Sequence, residues 1–241
     1  MGRAEPGWKG LQRSIGEIGY NPRPDSSWIR QFDILAKLDY LANQEGLLET
    51  REAQLGLSTN FESGDMLSMN FSRNFERLVR PFHIRGGGGT VPAGDYRFNE
   101  FSMRYEAYRG RRISGSLEYE RGGFFDGTIT SFEISPALKP NAGLSFEPGF
   151  EWNRISRQSS TFTTRELNTQ VNYSLNQKWL TRTTFVWNSQ ERGVLLNFRL
   201  NYIFRPGDDL FFVYNESQTY GEPSGLLNRS LIVKLTYSLD L

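Results

Sequence analysis

The chain has 241 residues, with 28 Lys and Arg against 27 Asp and Glu, so its net charge of +1 gives no electrostatic reason to expect a nucleic-acid partner. It has no cysteine, which excludes disulfides, thiolate metal sites and cysteine nucleophiles. No apolar run reaches the roughly 18 residues of a transmembrane helix, and mean hydropathy is -0.54.

Residues 1–27 carry several prolines and glycines but no apolar segment typical of a signal peptide. We expect them to be a periplasmic lead-in or the remnant of an upstream strand. From Trp28 onward, apolar and polar residues alternate in about twelve segments. A side-chain period of two is typical of a strand with one apolar and one polar face. We therefore predict two regions, the lead-in at 1–27 and a β-barrel at 28–241.

The alternating pattern places the strands one after another with no helix between them. Pro136 weakens the sixth strand because proline cannot donate to a ladder, and Pro148 with Gly149 predicts a bulge in the seventh. Such a series predicts an all-β, antiparallel up-and-down barrel of about 12 strands. The predicted strands are 28–42, 47–61, 66–77, 96–107, 112–121, 128–138, 144–154, 161–175, 179–188, 194–204, 210–216 and a last one from about 231 to the end.

We interpret the apolar face as the outer, lipid-facing surface and the polar face as the lining of a lumen. Charges fall mainly on the polar faces, as expected if a charge at the membrane midplane costs about 2–4 kcal/mol. The predicted lipid-facing residues are Phe32, Ile34, Leu38, Leu55, Leu57, Phe71, Met103, Leu117, Phe132, Phe198, Leu200, Leu231, Val233 and Leu235. The predicted lumen-facing residues are Glu52, Arg104, Glu106, Glu118, Glu120, Glu147, Glu151, Arg182, Arg199 and Lys234.

A soluble β-sandwich or barrel with its apolar face inside is the alternative. Strands about 4.8 Å apart and tilted by about 40° give a twelve-strand barrel a radius of roughly 12 Å, too wide for opposite walls to meet in a dry core. Two packed sheets would fit, but long strands with short hairpins favour a continuous meander. Aromatic residues near strand ends are candidates for interfacial girdles, namely Trp28, Tyr40, Phe61, Phe75, Trp152, Trp179, Trp187 and Tyr237.

The connections between predicted strands differ in length on the two rims. One set is short and rich in turn-forming residues: 62–65, 108–111, 139–143, 176–178 and 205–209. We expect the other set to contain longer loops, at 78–95, 122–127, 155–160 and 218–228, with 43–46 as a short exception. Short turns on one rim and longer loops on the other are typical of outer-membrane barrels.

Residues with catalytic potential are few. His83 is the single histidine and no Gly-x-Ser-x-Gly elbow accompanies it, so we expect no catalytic triad. Gly86 to Gly89 precede Thr90 rather than the Lys-Ser/Thr of a phosphate loop, which indicates a flexible surface loop. Glu118 and Glu120, beside Arg104 and Arg182, predict a charge ladder filling the lumen rather than a glycosidase pair. We expect no metal and no cofactor.

The segments 195–216, 229–237 and 91–96 resemble the C-terminal outer-membrane β-barrel of an uncharacterised bacterial surface-protein family that carries an N-terminal carbohydrate-binding-like domain. The resemblance extends from about Gly19 onward. It implies that the N-terminal domain and the first barrel strands lie outside this sequence, which would account for the missing signal peptide. Barrels of this kind usually end in an aromatic residue read by the assembly machinery, whereas this chain ends in Leu241.

These observations predict a non-enzymatic bacterial outer-membrane barrel that serves as a passive pore, a transport channel or a membrane anchor. The expected partners are outer-membrane lipid, the barrel-assembly machinery and a glycan or small solute, but no nucleic acid. Two alternatives remain: a surface protein that displays the 78–95 and 218–228 loops to a glycan or other ligand, and a soluble β-barrel or sandwich binding module. An outer-membrane enzyme ranks last.

Overall fold

A computed structural model of the chain describes residues 11–84, 89–158, 160–221 and 224–238. These residues form fifteen strands and no helix. The strands are β1 Leu11–Tyr20, β2 Ile29–Asn43, β3 Leu48–Phe61, β4 Met66–Leu78, β5 Phe82–His83, β6 Thr90–Val91, β7 Gly94–Ala107, β8 Ile113–Phe124, β9 Gly127–Asn141, β10 Leu144–Arg157, β11 Thr161–Ser174, β12 Trp179–Asn188, β13 Gly193–Arg205, β14 Asp208–Thr219 and β15 Gly225–Thr236.

Thirteen strands form one sheet whose order follows the chain, β1-β2-β3-β4-β7-β8-β9-β10-β11-β12-β13-β14-β15, while β5 and β6 form a separate hairpin. Neighbouring strands run antiparallel: Leu38 lies opposite Ala53, and Thr183 lies opposite Phe198. The all-β, antiparallel, up-and-down prediction is therefore confirmed. In the described part of the chain β1 and β15 each have one neighbour in the sheet, so no closure is found there.

The twelve predicted strands are all present, in the predicted order, as β2 to β4 and β7 to β15. β9 continues through Pro136 despite the missing donor. The sheet has one strand more than these twelve, because β1 forms within residues 1–27, the segment expected to be a lead-in or the remnant of an upstream strand, and pairs along its whole length with β2. The last strand ends at Thr236, and the predicted alternation beyond Ser238 lies outside the described residues.

The prediction of several long loops on one rim was wrong. β8 continues through Gly122 and Gly123 to Phe124, and β9 begins at Gly127. Only a two-residue turn therefore remains between these two strands. A Cβ on Gly122 would lie 2.5 Å from Glu100 Cγ, so glycine there allows close strand packing. β10 also extends into the predicted loop at 155–160, and β14 and β15 extend into the one at 218–228. Only the connection at 79–93 is long in the described part of the chain, and within the predicted 86–89 loop only Gly89 is described.

The chain divides into two compact units, which we describe separately. The first unit comprises 1–105, 118–131 and 154–162, and the second comprises 106–117, 132–153 and 163–241. The structural statements below refer to the described residues within these ranges.

In the first unit the apolar face is more exposed than the polar face. Leu55 is 57% exposed, and its cross-strand neighbour Phe71 is 49% exposed. By contrast Glu52 of β3 and Lys37 of the neighbouring β2, on the other face of the sheet, are half-buried, and Ser72 is only 8% exposed. A sheet that packed its apolar face into a core would show the reverse order of exposure.

The residues predicted to face lipid include no buried side chain. Phe32, Met103, Phe198 and Leu200 are half-buried, whereas the exposed members are Ile34, Leu38, Leu55, Leu57, Phe71, Leu117, Phe132, Leu231, Val233 and Leu235. Among the residues predicted to line the lumen, Arg182, Arg199 and Lys234 are exposed. The half-buried members are Glu52, Arg104, Glu106, Glu118, Glu120, Glu147 and Glu151.

Candidate functional site

The polar face of the first unit carries an acidic groove of about 200 Å³. Strands β3, β4, β7 and β8 each contribute alternate residues to it, because positions i and i+2 of a strand share one face. Amides and hydroxyls lie between the carboxylates. The lining residues are Glu52, Gln54, Asn70, Ser72, Glu100, Ser102, Glu118 and Glu120.

Hydrogen bonds within this acidic groove satisfy much of its polar surface. Arg104 Nη1 donates to Glu118 Oε2 over 2.6 Å, so the predicted ladder between these two residues is present. Glu100 Oε2 accepts from Asn74 Nδ2 at 2.6 Å and from Ser72 Oγ at 3.3 Å. These carboxylates are held by internal partners, which suits the structural role that the sequence predicted for them.

An aromatic cluster lies where the 79–93 connection meets the ends of β7 and β8. We call it the rim cluster; it consists of Phe82, Tyr96, Phe98, Phe124 and Phe125. Phe125 is its centre, with ring centroids 5.1 to 6.1 Å from the other four rings. Tyr96 and Phe98 alternate in register with Glu100, so the rim cluster continues the polar face of β7. The neighbouring Val91 is fully buried.

Beneath this hairpin, Arg157 forms a buried ion pair with Asp126. The Arg157 side chain is 1% exposed, and its Nε and Nη2 donate to the two Asp126 carboxylate oxygens at 2.6 and 2.8 Å. Nη2 also donates to the Thr90 carbonyl oxygen at 2.9 Å. The hydrogen bond from Arg157 holds the pKa of the Asp126 carboxyl below its ordinary value. This bidentate pair ties the β5–β6 hairpin to the turn between β8 and β9.

The second unit contains a polar cavity of about 310 Å³ on strands β8 to β11. We call it the β8–β11 cavity. It is lined by serine hydroxyls, two amides, two carboxylates and two basic side chains, with proline and glycine between them. The lining residues are Glu106, Arg109, Ser114, Gly115, Ser116, Ser135, Pro136, Ala137, Lys139, Glu147, Pro148, Gly149, Asn168 and Gln170.

Small residues on three adjacent strands create the β8–β11 cavity. Gly115 has a φ of 140°, and a Cβ there would lie 2.4 Å from the Ser135 carbonyl oxygen. A Cβ on Gly149 would lie 2.4 Å from Asn168 Oδ1. Glycine is therefore required at Gly115, where the close atoms are backbone, whereas a Cβ on Gly149 would only displace the Asn168 side-chain amide. The sequence indicated Pro136 as a weak point of one strand and Pro148 with Gly149 as a bulge in the next, but only strand register brings them together with Gly115.

The remaining predicted lumen residues of the second unit have local partners. Arg182 Nε donates to Asn172 Oδ1 at 2.8 Å, so an amide accepts from it where the sequence predicted a glutamate ladder. Arg199 Nε donates to Asn197 Oδ1 at 3.0 Å, and Glu151 Oε1 accepts from Asn153 at 2.6 Å. Lys234 lies opposite Phe211. None of these contacts assembles a reactive group.

His83 has a structural partner. Its Nδ1 lies 2.7 Å from Thr90 Oγ1 across the β5–β6 hairpin. In the described residues no three His, Cys, Asp or Glu side chains are grouped so that they could hold a metal ion. No described segment forms a helix long and apolar enough to cross a membrane.

Several aromatic residues predicted near strand ends stack in pairs. Trp28 stacks on Phe61 with ring centroids 6.5 Å apart in the first unit. In the second unit, Trp179 stacks on Tyr202 at 4.2 Å, and Trp187 on Tyr220 at 6.4 Å. The first two pairs join neighbouring strands, β2 with β3 and β12 with β13, whereas Trp187 near the end of β12 reaches Tyr220 just after β14, the next strand but one.

Comparison with protein-family models, curated proteins and solved structures identified no match.

Proposed function

We propose that this chain is a bacterial outer-membrane β-barrel, with its apolar face against lipid and its polar face around a lumen, and that it acts as a passive channel or membrane anchor without enzymatic activity. One observation carries the proposal: in the first unit the apolar face is the exposed one. Exposed Leu38, Leu55 and Phe71 beside half-buried Lys37 and Glu52 suit a sheet whose outer surroundings are hydrocarbon.

A soluble binding module would need another layer to cover the exposed leucines and phenylalanines, because contiguous apolar patches of this kind are unusual on soluble monomers. Stacked aromatic pairs at strand ends add support, since tryptophan and tyrosine favour membrane interfaces. In this proposal the chain relies on the barrel-assembly machinery for insertion, and its main partner is outer-membrane lipid.

Anchoring with restricted passage is favoured over a wide pore by the β5–β6 hairpin. The hairpin packs on the rim cluster, and its Val91 is fully buried. A barrel of about this strand number also has a narrow interior once inward side chains are counted. Display of a ligand-binding surface is confined to the 79–93 connection, because 218–228 is mostly strand.

The orientation of the faces can be tested with two single cysteines, because the chain has none of its own. Leu55→Cys and Gln54→Cys are neighbours on β3 that point to opposite faces. Each variant is labelled with a polarity-sensitive fluorophore and reconstituted in lipid vesicles. We expect blue-shifted emission, quenched by brominated lipid, from position 55 and water-like emission from position 54.

The proposal fails if position 54 gives the lipid-quenched signal, or if the protein is monodisperse without detergent and both positions stay water-like. Closure is tested separately by comparing the gel mobility of unboiled and boiled protein refolded in detergent micelles. A faster unboiled band indicates a closed, detergent-stable barrel. Conductance in planar bilayers then separates a channel from an anchor. A variant in which a short Gly-Ser linker replaces hairpin residues 82–91 shows the conductance without the hairpin.

A further inference from the structure

The β8–β11 cavity contains a buried hydroxyl without a partner. Ser114 is only 6% exposed, and its Oγ makes no hydrogen bond within the described residues. Leaving such a group unsatisfied is unfavourable, so buried hydroxyls are nearly always paired. Ser114 contributes to the wall of the cavity, but its Oγ has almost no accessible surface, so the hydroxyl marks a gap in the hydrogen bonding of the wall and not a ligand contact.

The charges that line the cavity are unevenly satisfied. Arg109 Nε donates to Glu106 Oε1 at 3.1 Å, so these two residues neutralise each other near the turn. Lys139 Nζ donates to the Arg109 carbonyl oxygen at 3.2 Å, which uses one of its three hydrogens. In the described part of the chain, Glu147 has no hydrogen-bond or ionic partner, and Lys139 has no carboxylate partner.

One half-buried anion and one half-buried cation therefore line the same cavity without neutralising each other. Neutral donors and acceptors lie between them, from the hydroxyls of Ser116 and Ser135 and the amides of Asn168 and Gln170. A hydrogen bond to a group of opposite charge stabilises a half-buried charge more than a hydrogen bond to a neutral group does. A neutral solute would leave both charges uncompensated, and a simple anion or cation would leave one.

We propose that the β8–β11 cavity binds the zwitterionic backbone of a free amino acid or short peptide. The ligand ammonium donates to the Glu147 carboxylate, and the ligand carboxylate accepts from the Lys139 ammonium. A volume of about 310 Å³ suits a ligand of one or two residues. The site goes beyond the proposed channel or anchor and does not depend on closure of the sheet.

Calorimetric titration of the full chain, in whichever medium keeps it monodisperse, tests the assignment with three probes. Glycylglycine carries both charges, N-acetylglycylglycine lacks the ammonium, and glycylglycinamide lacks the carboxylate. We expect saturable binding of glycylglycine and binding about tenfold weaker for each of the other two, because each loses one charge-assisted contact.

Two variants separate the charge contacts. Glu147→Gln should bind glycylglycine and N-acetylglycylglycine equally while still discriminating against glycylglycinamide, and Lys139→Gln should show the opposite pattern. Glu151→Gln and Lys178→Gln, matched changes outside the cavity lining, should keep both preferences. Circular dichroism checks that every variant is folded.

Absence of saturable binding, equal affinity for the three probes, or preferences unchanged in Glu147→Gln and Lys139→Gln would overturn the inference. Tighter binding of a neutral disaccharide such as sucrose than of glycylglycine would also overturn it. Face labelling and gel mobility do not involve these residues. Failure of the binding test therefore leaves the proposed function standing, and failure of the labelling or mobility test leaves the binding site standing.

Discussion

Two polar regions of this protein satisfy their charges in opposite ways. At the rim cluster, the buried Arg157 makes two bonds to Asp126 and one to the Thr90 carbonyl, so the guanidinium has internal acceptors. In the β8–β11 cavity, the Ser114 hydroxyl and the Glu147 carboxylate have no partner among the described residues. Both regions lie on strands of the same sheet with the same alternation, yet the polar groups of one are paired internally and those of the other are not.

Internal pairing distinguishes polar groups that stabilise a fold from polar groups that are available to a ligand. Satisfied buried networks fix local structure, and removing one member leaves the others unpaired. Unsatisfied groups contribute nothing to stability and are retained at a cost. Substitutions at the rim cluster should therefore reduce stability strongly, whereas polar substitutions in the cavity should leave stability almost unchanged.

Arg157→Ala should give the largest loss. Breaking a buried ion pair by removing one partner costs about 3–5 kcal/mol, but Asp126 keeps 32% side-chain exposure and can recover some hydration. We expect the free energy of unfolding to fall by about 3 kcal/mol in a urea titration. Arg30→Ala, which breaks the exposed pair with Glu62, is the control and should cost under about 1 kcal/mol. Equal losses in the two variants would contradict the comparison.

Phe125 tests whether aromatic packing at the rim cluster offsets backbone strain. Its φ of 52° is unfavourable for a residue with a Cβ, and such a conformation costs roughly 1–2 kcal/mol. Phe125→Ala should lose about 2–3 kcal/mol, because the ring packing disappears and the strain remains. Phe125→Gly should recover about 1 kcal/mol of that loss by relieving the strain. If Phe125→Gly is the less stable of the two in urea titrations, strain is not the explanation.

Predictability of the fold depended on the length and regularity of each alternating segment. β13 was predicted almost to the residue because Val194, Leu196 and Phe198 keep a strict period of two. β1 was missed because its glycines interrupt the pattern, and Ile15 and Ile18 fall on opposite faces of the strand. β5 and β6 have two residues each, too few to show any period.

Gly115→Ala should destabilise the second unit by about 2 kcal/mol. The added Cβ would lie 2.4 Å from the Ser135 carbonyl oxygen, and the φ of 140° is rarely adopted by residues other than glycine. β8 and β9 would have to separate where they border the cavity. Thermal unfolding checks the loss, with Gly16→Ala as the control because nothing lies within 4 Å of a Cβ there. Comparable melting temperatures for the two variants would show that the close approach at Gly115 is unimportant.

The pH dependence of stability should show how much the ionised Asp126 carboxylate stabilises the fold. Arg157 lowers its folded-state pKa, so the stabilisation is fully present above the unfolded value of about 3.9 and is lost as pH falls through the folded pKa. We expect the stability difference between wild type and Asp126→Asn to be constant near neutral pH and to shrink below about pH 4. Urea titrations at pH 6 and pH 3 measure it. A difference that is the same at both pH values would mean that Asp126 does not stabilise the fold through its charge.

The sequence could indicate the polar face but not the two regions built on it. Glu147 and Arg104 were assigned to that face by alternation alone, and Arg104 and Glu118 were expected together because they lie on neighbouring strands. The pairing of Arg157 with Asp126 depends on the short turn between β8 and β9, which the sequence did not predict because Gly122 and Gly123 indicated a longer loop there. The cavity requires Gly115, Pro136 and Gly149 on adjacent strands, a register that no local pattern specifies.

Ser114→Ala should give the smallest stability change and the clearest contrast with the rim cluster. Removing a buried hydroxyl that has no partner removes an unsatisfied group, and the methyl group occupies nearly the same space. We therefore expect a free energy of unfolding equal to that of wild type or slightly higher. Ser58→Ala is the matched control, because the Ser58 hydroxyl is bonded to Ser68 at 2.9 Å and its loss should reduce stability by about 1 kcal/mol. A larger loss from Ser114→Ala than from Ser58→Ala would mean that the Ser114 hydroxyl already has a partner in the folded protein, and the distinction between a satisfied rim and an unsatisfied cavity would fail.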